Sequence, residues 1–434
     1  MKMFIKIIIS FFFLLNCFQA QPQWWGEQNS GVTVTLKSVS ACDNYNVWIC
    51  GYSGTVLRTT NSGVNWQNVS GNGIPNTVSL VNIWGIDLYN ALVAGYTGSN
   101  TWVWKTTNGG ANWVQIFTQT GGFIDAVAFK QAFPAQGIMV GDPVGGRWSL
   151  WKTTNYGTDW DSSGMYVPQA GTEAGWNNSI WYMGSRIWFG TNNTRIYYSN
   201  NDGANWTWYS TSPEVNSYVI FFAYSFDPSG IMGGATLLKS DDTGHTWTNL
   251  ASIGTGNFGG FAGLPAPVNS QLFLQQLYYV RTSDNHIYHS GFGGTGWFAE
   301  YTAPANNYTH MTGSRNGQYL WAIRLGGGIT RCTCVVSGIN KISENIPASY
   351  SLKQNFPNPF NPQTSIDFDI PKQTHVRLNI YDITGKYVTT LIDYEYEPGS
   401  YRVSWDASSL SSGVYFYSLQ TSEFTNTKRM ILLK

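Results

Sequence analysis

One short stretch is written again and again along this chain of 434 residues. Lys105–Trp113 reads KTTNGGANW, Arg58–Trp66 reads RTTNSGVNW and Lys152–Trp160 reads KTTNYGTDW. The common pattern, Ser/Thr-x-Asn/Asp-x-Gly-x-x-Trp, returns at Ser199–Trp206 and Ser240–Trp247, with successive tryptophans 41 to 47 residues apart. Repeats with a period of about 20–50 residues are typical of solenoids and propellers.

The residue types of the repeat predict a tight turn. An Asn or Asp side chain is expected to bond backbone groups two residues on, and Gly adopts a positive φ without steric cost. The Trp offers a large apolar area to a neighbouring unit. The Asn/Asp, Gly and Trp positions of the five copies are Asn61, Gly63, Trp66, Asn108, Gly110, Trp113, Asn155, Gly157, Trp160, Asn201, Gly203, Trp206, Asp242, Gly244 and Trp247.

Short apolar runs before each turn, such as NVWICG and GTVLRT, predict about four strands per unit, which is a propeller blade. A degenerate sixth copy lies at Ser290–Trp297, and a seventh third strand at Gly327–Cys334 lacks the turn. Trp24–Gly31 resembles the stretch that follows the other turns. We therefore expect the first strand of the mature chain to complete the seventh blade and remove its exposed edge.

These repeats resemble the Asp-box, or BNR, repeats of sialidase-like propellers and of photosystem II stability factor-like propellers. The resemblance implies a structural turn rather than a catalytic one. It also implies, by analogy of fold, that ligands bind on the face opposite the turns, near the channel. The sequence Ser240–Gly244 hints at a calcium loop, but the Glu that such loops require is absent. No metal and no cofactor is therefore expected.

The N-terminus predicts export, and the charge of the chain argues against some partners. Lys2 and Lys6 flank an apolar run through Leu15, which predicts a signal peptide over residues 1–20. No later stretch is apolar and long enough for a transmembrane segment in the mature chain. A net charge of zero, with only 11% charged residues, argues against a nucleic-acid partner.

Four cysteines remain after residue 20: Cys42, Cys50, Cys332 and Cys334. In an oxidising compartment they are candidates for disulfides. One hypothesis links Cys332 or Cys334 to Cys42 or Cys50 and so fastens the closure of the ring; buried free thiols are the alternative.

The chain changes character after the repeats. Pro-rich FPNPFNP at Phe356–Pro362 opens a segment of alternating strands with turn signals ITGK and EPGS. This tail, Ser349–Lys434, closely resembles the type A C-terminal sorting domain of the type IX, or Por, secretion system. The resemblance implies the type IX machinery as a partner and passage through the periplasm, ending secreted or at the outer-membrane surface.

The predicted fold class is therefore all-β: a seven-bladed propeller followed by a small C-terminal β-sandwich. The predicted division is a signal peptide (1–20), the propeller (21–335), a linker (336–348) and the sorting domain (349–434).

Several polar and aromatic residues map by position to the face opposite the turns. The loop GDPVGGRW and the crossover QAGTEAGWNN resemble a subset of sialidase-like propellers, which favours Asp142 and Glu173 over other carboxylates. Asp125, Asp142 and Glu173 are the candidate catalytic residues, since glycoside hydrolysis generally uses two carboxylates. The ligand-binding candidates are Arg147, Trp148, Trp176, Arg195, Arg281, Asp284 and Arg324. Trp208 is a further aromatic that can stack on a sugar.

Three functions stay open from the sequence. The first is binding of an extracellular glycan or protein. The second is a sialidase-like glycoside hydrolase, although no Arg-Ile-Pro element occurs. The third is a non-catalytic scaffold for another exported protein. Turn caps and packing explain many of the same residues equally well.

Overall fold

The computed structural model describes residues 24–433 except 132, 223–228, 264–276, 291–293, 295, 316–318, 334–338, 344–345, 362, 397 and 408–409. For residues 24, 333, 339–343, 363, 389–390, 393–395, 404 and 406 the structure describes the backbone alone. The predicted signal peptide, Cys334 and part of the sixth repeat copy lie outside the described residues.

The first part of the chain folds into seven antiparallel sheets. Its strands, in chain order, are β1 (Trp24–Gln28), β2 (Leu36–Ala41), β3 (Val47–Gly51), β4 (Val56–Thr59), β5 (Gln67–Asn68), β6 (Ser79–Gly85), β7 (Ala91–Thr97), β8 (Asn100–Thr106), β9 (Val114–Thr120), β10 (Ile124–Phe129), β11 (Gly137–Val144), β12 (Arg147–Thr153), β13 (Gly175–Met183), β14 (Arg186–Thr191), β15 (Arg195–Ser199), β16 (Thr207–Ser210), β17 (Val219–Phe222), β18 (Gly230–Gly233), β19 (Leu237–Ser240), β20 (Thr248–Leu250), β21 (Phe258–Gly263), β22 (Leu277–Arg281), β23 (His286–Ser290), β24 (Phe298–Thr302), β25 (Tyr308–Gly313), β26 (Leu320–Arg324) and β27 (Ile329–Thr333). A 3₁₀ turn, Leu325–Gly327, precedes β27.

The seven sheets are the blades of a closed ring. The first strands of blades 1 to 7 are β2, β6, β10, β13, β17, β21 and β25, and each contacts the first strand of the next blade, with β25 returning to β2. Blades 1, 2, 4, 5, 6 and 7 have four strands, whereas the described residues of blade 3 form a three-stranded sheet, β10-β11-β12. The predicted seven-bladed propeller is confirmed.

The N-terminal strand closes the ring as predicted. β1 pairs with β27 from Trp24 opposite Thr333 to Gln28 opposite Ile329, so it is the fourth strand of blade 7. The carboxylate of Glu27 accepts hydrogen bonds from Arg324 and from the Thr330 hydroxyl, the latter at 2.8 Å. The two ends of the propeller are thus held together by strand pairing and by an ion pair.

Burial follows the position of each strand within its blade. The strands nearest the axis are apolar and covered on both faces; β3, for example, is buried at all five residues, Val47–Gly51. The outermost strands are mostly exposed to solvent, as in β16 and β20. Aliphatic and aromatic residues fill the spaces between blades, which is the main source of stability expected for stacked sheets.

The repeated turns follow the third strand of blades 1 to 5 and, except in blade 3, lead into the fourth strand. In blade 1 the Thr59 hydroxyl donates to Asn61 Oδ1 (3.0 Å) and accepts from the Gly63 amide (2.8 Å). Asn61 Oδ1 also accepts from the Asn65 amide at 3.0 Å, four residues on. The prediction that the Asn61 side chain bonds a backbone group two residues on is wrong. The Thr59 hydroxyl accepts from the amide two residues on, that of Asn61, and the Asn61 side chain accepts from the amide four residues on.

The tail forms a two-sheet sandwich around one apolar core. Its strands are β28 (Ile339–Ser343), β29 (Ser351–Leu352), β30 (Gln363–Ile370), β31 (Thr374–Asp382), β32 (Tyr387–Tyr396), β33 (Gly399–Asp406), β34 (Gly413–Gln420) and β35 (Thr425–Leu432). One sheet has the order β28-β33-β30-β29 and the other β32-β31-β34-β35.

The segment predicted as a linker supplies the first strand of this sandwich. β28 pairs with β33 from Ile339 opposite Val403 to Ser343 opposite Ser400. Residues 336–348 are therefore not a simple spacer. The sequence signal was weak because β28 is short and has no Pro-rich or turn motif at its start.

The cysteines do not form the predicted crosslink to blade 1. Cys42 and Cys50 are free thiols, and burial raises the pKa of Cys42 to about 11. Cys332 is disulfide-bonded, but its partner lies outside the described residues. Ring closure is thus independent of Cys42 and Cys50.

Candidate functional site

The face opposite the repeated turns carries a ring of β-bulges around the channel. Six of the seven first strands shift register near their start, and only β17 pairs regularly. The bulged residues include Lys37, Val81, Asp125 and Thr309. Bulges re-aim side chains and are frequent beside binding sites, so this mouth is where polar side chains leave the sheets.

The longest of these bulges closes the channel. Asn178, in β13, has a positive φ of 67° and extends across to blades 1 and 2. Its Oδ1 accepts from the Ser38 hydroxyl and from Asn82 Nδ2, both at 2.8 Å, and its Nδ2 donates to the Val81 carbonyl at 3.2 Å. These hydrogen bonds join blade 4 to blades 1 and 2 across the axis of the ring.

Asp125 and Asp142 form a close acidic pair beside the mouth. Asp142 Oδ1 accepts from the Gly175 amide at 2.7 Å, and Asp125 Oδ2 lies 2.3 Å from where a Cβ on Gly175 would be. Asp125 is only 6% exposed, and its Oδ2 has no hydrogen-bond partner. Burial, and then the charge of Asp142, raise the pKa of Asp125 well above its ordinary value; burial also raises the pKa of Asp142.

Glu173, the third predicted carboxylate, is a buried anchor of the crossover between blades 3 and 4. Its Oε2 accepts from the Tyr197 hydroxyl (2.8 Å), Trp148 Nε1 (3.3 Å) and the Ala170 amide (3.3 Å). Its side chain is 0% exposed and Oε1 lies 3.4 Å from Arg195 Nε. Both side chains are thus buried in this crossover, and a direct contact of either with a ligand stays a prediction.

Three other predicted ligand residues also turn inward. Arg281 donates to the carbonyls of Ile253, Ala235 and Gly256 at 2.8 to 3.2 Å. Arg324 donates to the Ala305 carbonyl and pairs with Glu27, as described for the closure. Asp284 accepts from the Tyr288 hydroxyl, from the His286 amide of its own loop and from the Thr255 amide of the segment before β21. These side chains hold loops in place, and ligand binding by them stays a prediction.

Trp176 and Arg147, two further predicted ligand residues, are at least partly exposed. The centre of the Trp176 ring lies 4.4 Å from that of Tyr218, and this contact joins blades 4 and 5. The Trp176 side chain is partly exposed. Arg147 is exposed at the β11–β12 hairpin. It lines a cavity of about 210 Å³ beside the open edge of β12, together with Trp148 and Ser149.

A larger groove lies between blades 3 and 4. Blade 3 lacks a regular fourth strand, and residues 161–170 pair with β12 only through the isolated bridges Lys152–Asp161 and Arg147–Pro168. The loop that replaces the strand forms one wall of the groove, and β15 and β16 form the other. The groove encloses about 310 Å³ and is lined by Tyr166, Val167, Pro168, Gln169, Ala170, Arg195, Tyr197, Trp206, Thr207 and Trp208.

Two exposed aromatic rings and one arginine define the chemistry of this groove. Trp208 is 50% exposed and Tyr166 is 65% exposed. The guanidinium carbon of Arg195 lies 4.3 Å from the centre of the Trp208 ring. Gln169 Nε2 donates to the Glu173 carbonyl at 2.8 Å, which fixes its amide at the rim.

The sequence identified Arg195 and Trp208 but missed Tyr166 and Gln169. Tyr166 lies in MYVPQ, immediately after the irregular third blade, and no motif marks it. The available signal was the interval between Trp160 and Gly175, which is long for a fourth strand and a crossover alone. Among the described residues, no group of three or more His, Cys, Asp and Glu side chains is placed to hold a metal ion.

Comparison with known proteins agrees with both parts of the fold. Residues 354–433 match the family model of the secretion system C-terminal sorting domain. A structure of YCF48 bound to a D1 peptide is 15% identical, with a TM-score of 0.55, and covers 72% of this chain and 97% of that one. YCF48 from Cyanidioschyzon merolae is also 15% identical, with a TM-score of 0.53, and covers 71% and 98% of the two chains. No curated protein matches the sequence significantly.

At such low identity the likeness to YCF48 concerns the fold alone, which is that of a β-propeller. The C-terminal residues belong to the family of secretion system C-terminal sorting domains. The chain is thus a propeller that carries a type IX sorting domain and is exported to the cell surface or the medium. Over the part of the chain that the structure describes, no helix is suited to crossing a membrane.

Proposed function

We propose that this exported propeller binds an extracellular saccharide in the groove between blades 3 and 4. The observation that carries the proposal is the exposed pair Trp208 and Tyr166, set in a groove of about 310 Å³ with Arg195 between its walls. That volume falls at the lower end of ligand pockets, about 300–1,000 Å³, and suits one or a few sugar rings.

The chemistry of the groove is that expected for a sugar site. Large aromatic rings left in water cost free energy unless they serve a contact, and their flat faces match the C–H faces of sugar rings. Planar polar side chains such as those of Gln169 and Arg195 bond hydroxyl groups without large loss of rotamer freedom. A folded protein ligand generally requires an interface of about 800 Å² per partner, much larger than this groove.

The route to the surface is part of the proposal. Residues 1–20 would direct the chain to the periplasm, and the sorting domain would then direct it across the outer membrane. N-terminal sequencing of the exported protein would test the first step. A protein beginning with Met1 would contradict it.

The test of saccharide binding uses the full exported chain on an array of bacterial, plant and animal glycans. Trp208→Ala is expected to reduce binding about tenfold, since an aromatic contact contributes about 0.5–1.5 kcal/mol beyond the area that it buries. Tyr45→Ala is the matched control, because Tyr45 is 60% exposed and lies on the opposite face. Equal loss in both variants, or an array without signal, would contradict the proposal.

A second candidate function is glycoside hydrolysis by the acidic pair. Asp125 and Asp142 converge on Gly175, and both have raised pKa values, the condition for a general acid near neutral pH. Release of reducing sugar that stops in Asp142→Asn, with glycan binding intact, would support an enzyme. Undiminished release in that variant would exclude this pair as the catalytic residues.

A further inference from the structure

We infer that the groove binds an uncharged saccharide, and that Arg195 positions the Trp208 ring instead of binding an anion. The inference rests on the proposed saccharide function and specifies the chemical class of its ligand. It follows from the buried carboxylate of Glu173, which lies behind the groove wall and pairs with Arg195.

The first step is the charge of the groove. Arg195 is the only charged side chain among the ten residues that line it. Its Nε lies 3.4 Å from Glu173 Oε1, and the Glu173 side chain is 0% exposed. Because the two charges of this pair offset each other, the groove offers a ligand no charge that lacks a partner. An ionic group on the ligand would lose its water in the groove without gaining a counter-charge.

The second step is that the carboxylate of this pair is fixed. Glu173 Oε2 accepts from the Tyr197 hydroxyl at 2.8 Å. It also accepts from Trp148 Nε1 and from the Ala170 amide, both at 3.3 Å. These donors come from blade 4, blade 3 and the crossover between them, so Glu173 cannot turn away without breaking all three bonds. Arg195 therefore keeps its counter-charge when a ligand enters.

The third step is the orientation of the aromatic ring. Tyr197 of β15 pairs with Trp208 of β16, and Arg195 lies two residues before Tyr197. Alternate residues of a strand point to the same face, so Arg195 and Trp208 both leave the sheet on the side of the groove. The guanidinium carbon of Arg195 lies 4.3 Å from the centre of the Trp208 ring and covers one face of it. Trp208 is still 50% exposed, so the other face remains for the apolar C–H face of a sugar ring.

The other polar groups of the groove are uncharged. Gln169 Nε2 donates to the Glu173 carbonyl at 2.8 Å, so Oε1 is the end of this amide that is directed to a ligand hydroxyl. Thr207 adds an exposed hydroxyl at the start of β16. Such groups exchange hydrogen bonds with the hydroxyl groups of a neutral sugar.

The test uses tetrasaccharides of glucose, mannose and galactose and, for each, the counterpart that is oxidised at C6 to the uronic acid. All are titrated into the full exported chain. In the pair that binds best, the neutral member should bind at least about threefold more tightly than the acidic member. Added salt should change the affinity for the neutral member by less than about twofold.

Substitution then separates the offset of charge from a purely structural role of Glu173. Glu173→Gln keeps an acceptor for the Tyr197 hydroxyl and removes the counter-charge of Arg195. The acidic tetrasaccharide should then gain about tenfold relative to the neutral one, and added salt should weaken its binding. Combining Glu173→Gln with Arg195→Gln should restore the preference for the neutral member. Glu423→Gln, an equal change of charge at an exposed position of the tail, should leave both affinities unchanged.

The outcomes separate the two proposals. Tighter binding of the acidic member by the native chain, or the same preference in the native chain and in Glu173→Gln, would overturn the inference and leave saccharide binding in place. If Glu173→Gln does not fold, the preference of the native chain and its salt dependence decide alone. If no tetrasaccharide binds, the glycan array decides: signals confined to charged glycans would overturn the inference, and signals from uncharged glycans would support it. No binding to any saccharide would overturn both proposals.

Discussion

At the scale of single residues, the acid Asp125 shows how the fold tolerates a group that is unfavourable in isolation. It sits in a bulge at the start of β10, with Oδ2 buried and unpartnered and Asp142 close by. Burial disfavours the charged form, and a second carboxylate disfavours it further, so the pKa of Asp125 lies well above its usual range.

Asp125→Asn is expected to stabilise the protein at neutral pH. The pKa of Asp125 is higher in the native protein than in the unfolded chain, where it is about 4, so native stability falls as the pH rises from that value toward the native pKa. The Asn side chain does not titrate, so it causes no such loss of stability as the pH rises. We expect the unfolding midpoint to rise by roughly 2 °C or more at pH 7.

That difference should shrink as the pH approaches 4, because the aspartate of the unfolded chain also becomes protonated there. Thermal unfolding of both proteins across this pH range is the measurement. A difference that does not change with pH would mean that Asp125 does not titrate above its ordinary range. Asp159→Asn, at an exposed position, is the control.

Residue type alone did not separate ligand residues from structural ones. Arg195, Arg281 and Arg324 were equivalent in the sequence, as loop or strand-end arginines on one face. Only the folded positions of backbone carbonyls, many of them distant along the chain, decide which guanidinium is satisfied internally. Those positions depend on tertiary geometry, which a single sequence does not supply.

At the scale of elements, the repeated turn is the unit that makes each blade alike. Thr106 Oγ1 accepts from the Gly110 amide (2.9 Å), and Asn108 Oδ1 accepts from the Asn112 amide (3.0 Å). Asn108→Ala removes an acceptor from this turn, and we expect a loss of about 1–2 kcal/mol in the free energy of unfolding.

Urea unfolding of the purified protein measures that loss. Asn112→Ala is a close control, because the Asn112 side chain is exposed and only its backbone amide joins the turn. Similar midpoints for Asn108→Ala and the parent protein would show that the carboxamide is not needed to hold the turn.

Elements with a strong local signal were predicted well. The repeats gave the number of blades, and the likeness of Trp24–Gly31 to later stretches gave the closing strand β1. β28 was missed because five residues of mixed character acquire their structure only by pairing with β33, about 60 residues later.

The pairing of β28 predicts where the sorting domain must begin to be fully stable. The free energy of unfolding of an isolated tail of residues 337–434 should exceed that of residues 349–434 by roughly 2–4 kcal/mol. The reason is that the shorter tail lacks the hydrogen bonds that β28 makes to β33. The shorter tail also exposes an edge of β33, which favours aggregation. Equal stability of the two tails would show that β28 contributes little.

At the scale of the whole molecule, the candidate groove arises where the repeat is broken. Six blades keep a regular fourth strand, and blade 3 replaces it with the loop that carries Tyr166 and Gln169. Departures from local regularity are where function is expected in a fold that is otherwise consistent. The sequence shows this as a long interval after Trp160, but which side chains enter the groove depends on how blade 4 meets that loop.

The propeller and the sorting domain have separate roles, and this leads to a prediction about export. The family match at residues 354–433 assigns sorting to the tail, and the propeller forms a closed ring with its own cores and its own closing strand. In a host with a type IX secretion system, a chain ending at residue 338 should lose export to the surface and medium. It should still fold, since every described strand of the seven blades lies before β28.

Cell fractionation with immunoblotting measures export, and circular dichroism with thermal unfolding checks the fold of the shortened chain. The matched experiment joins residues 337–434 to an unrelated periplasmic protein, which should then be exported. A shortened chain that still reaches the surface would show that the propeller carries its own export signal. A shortened chain that is degraded would instead show that the propeller depends on its tail for stability.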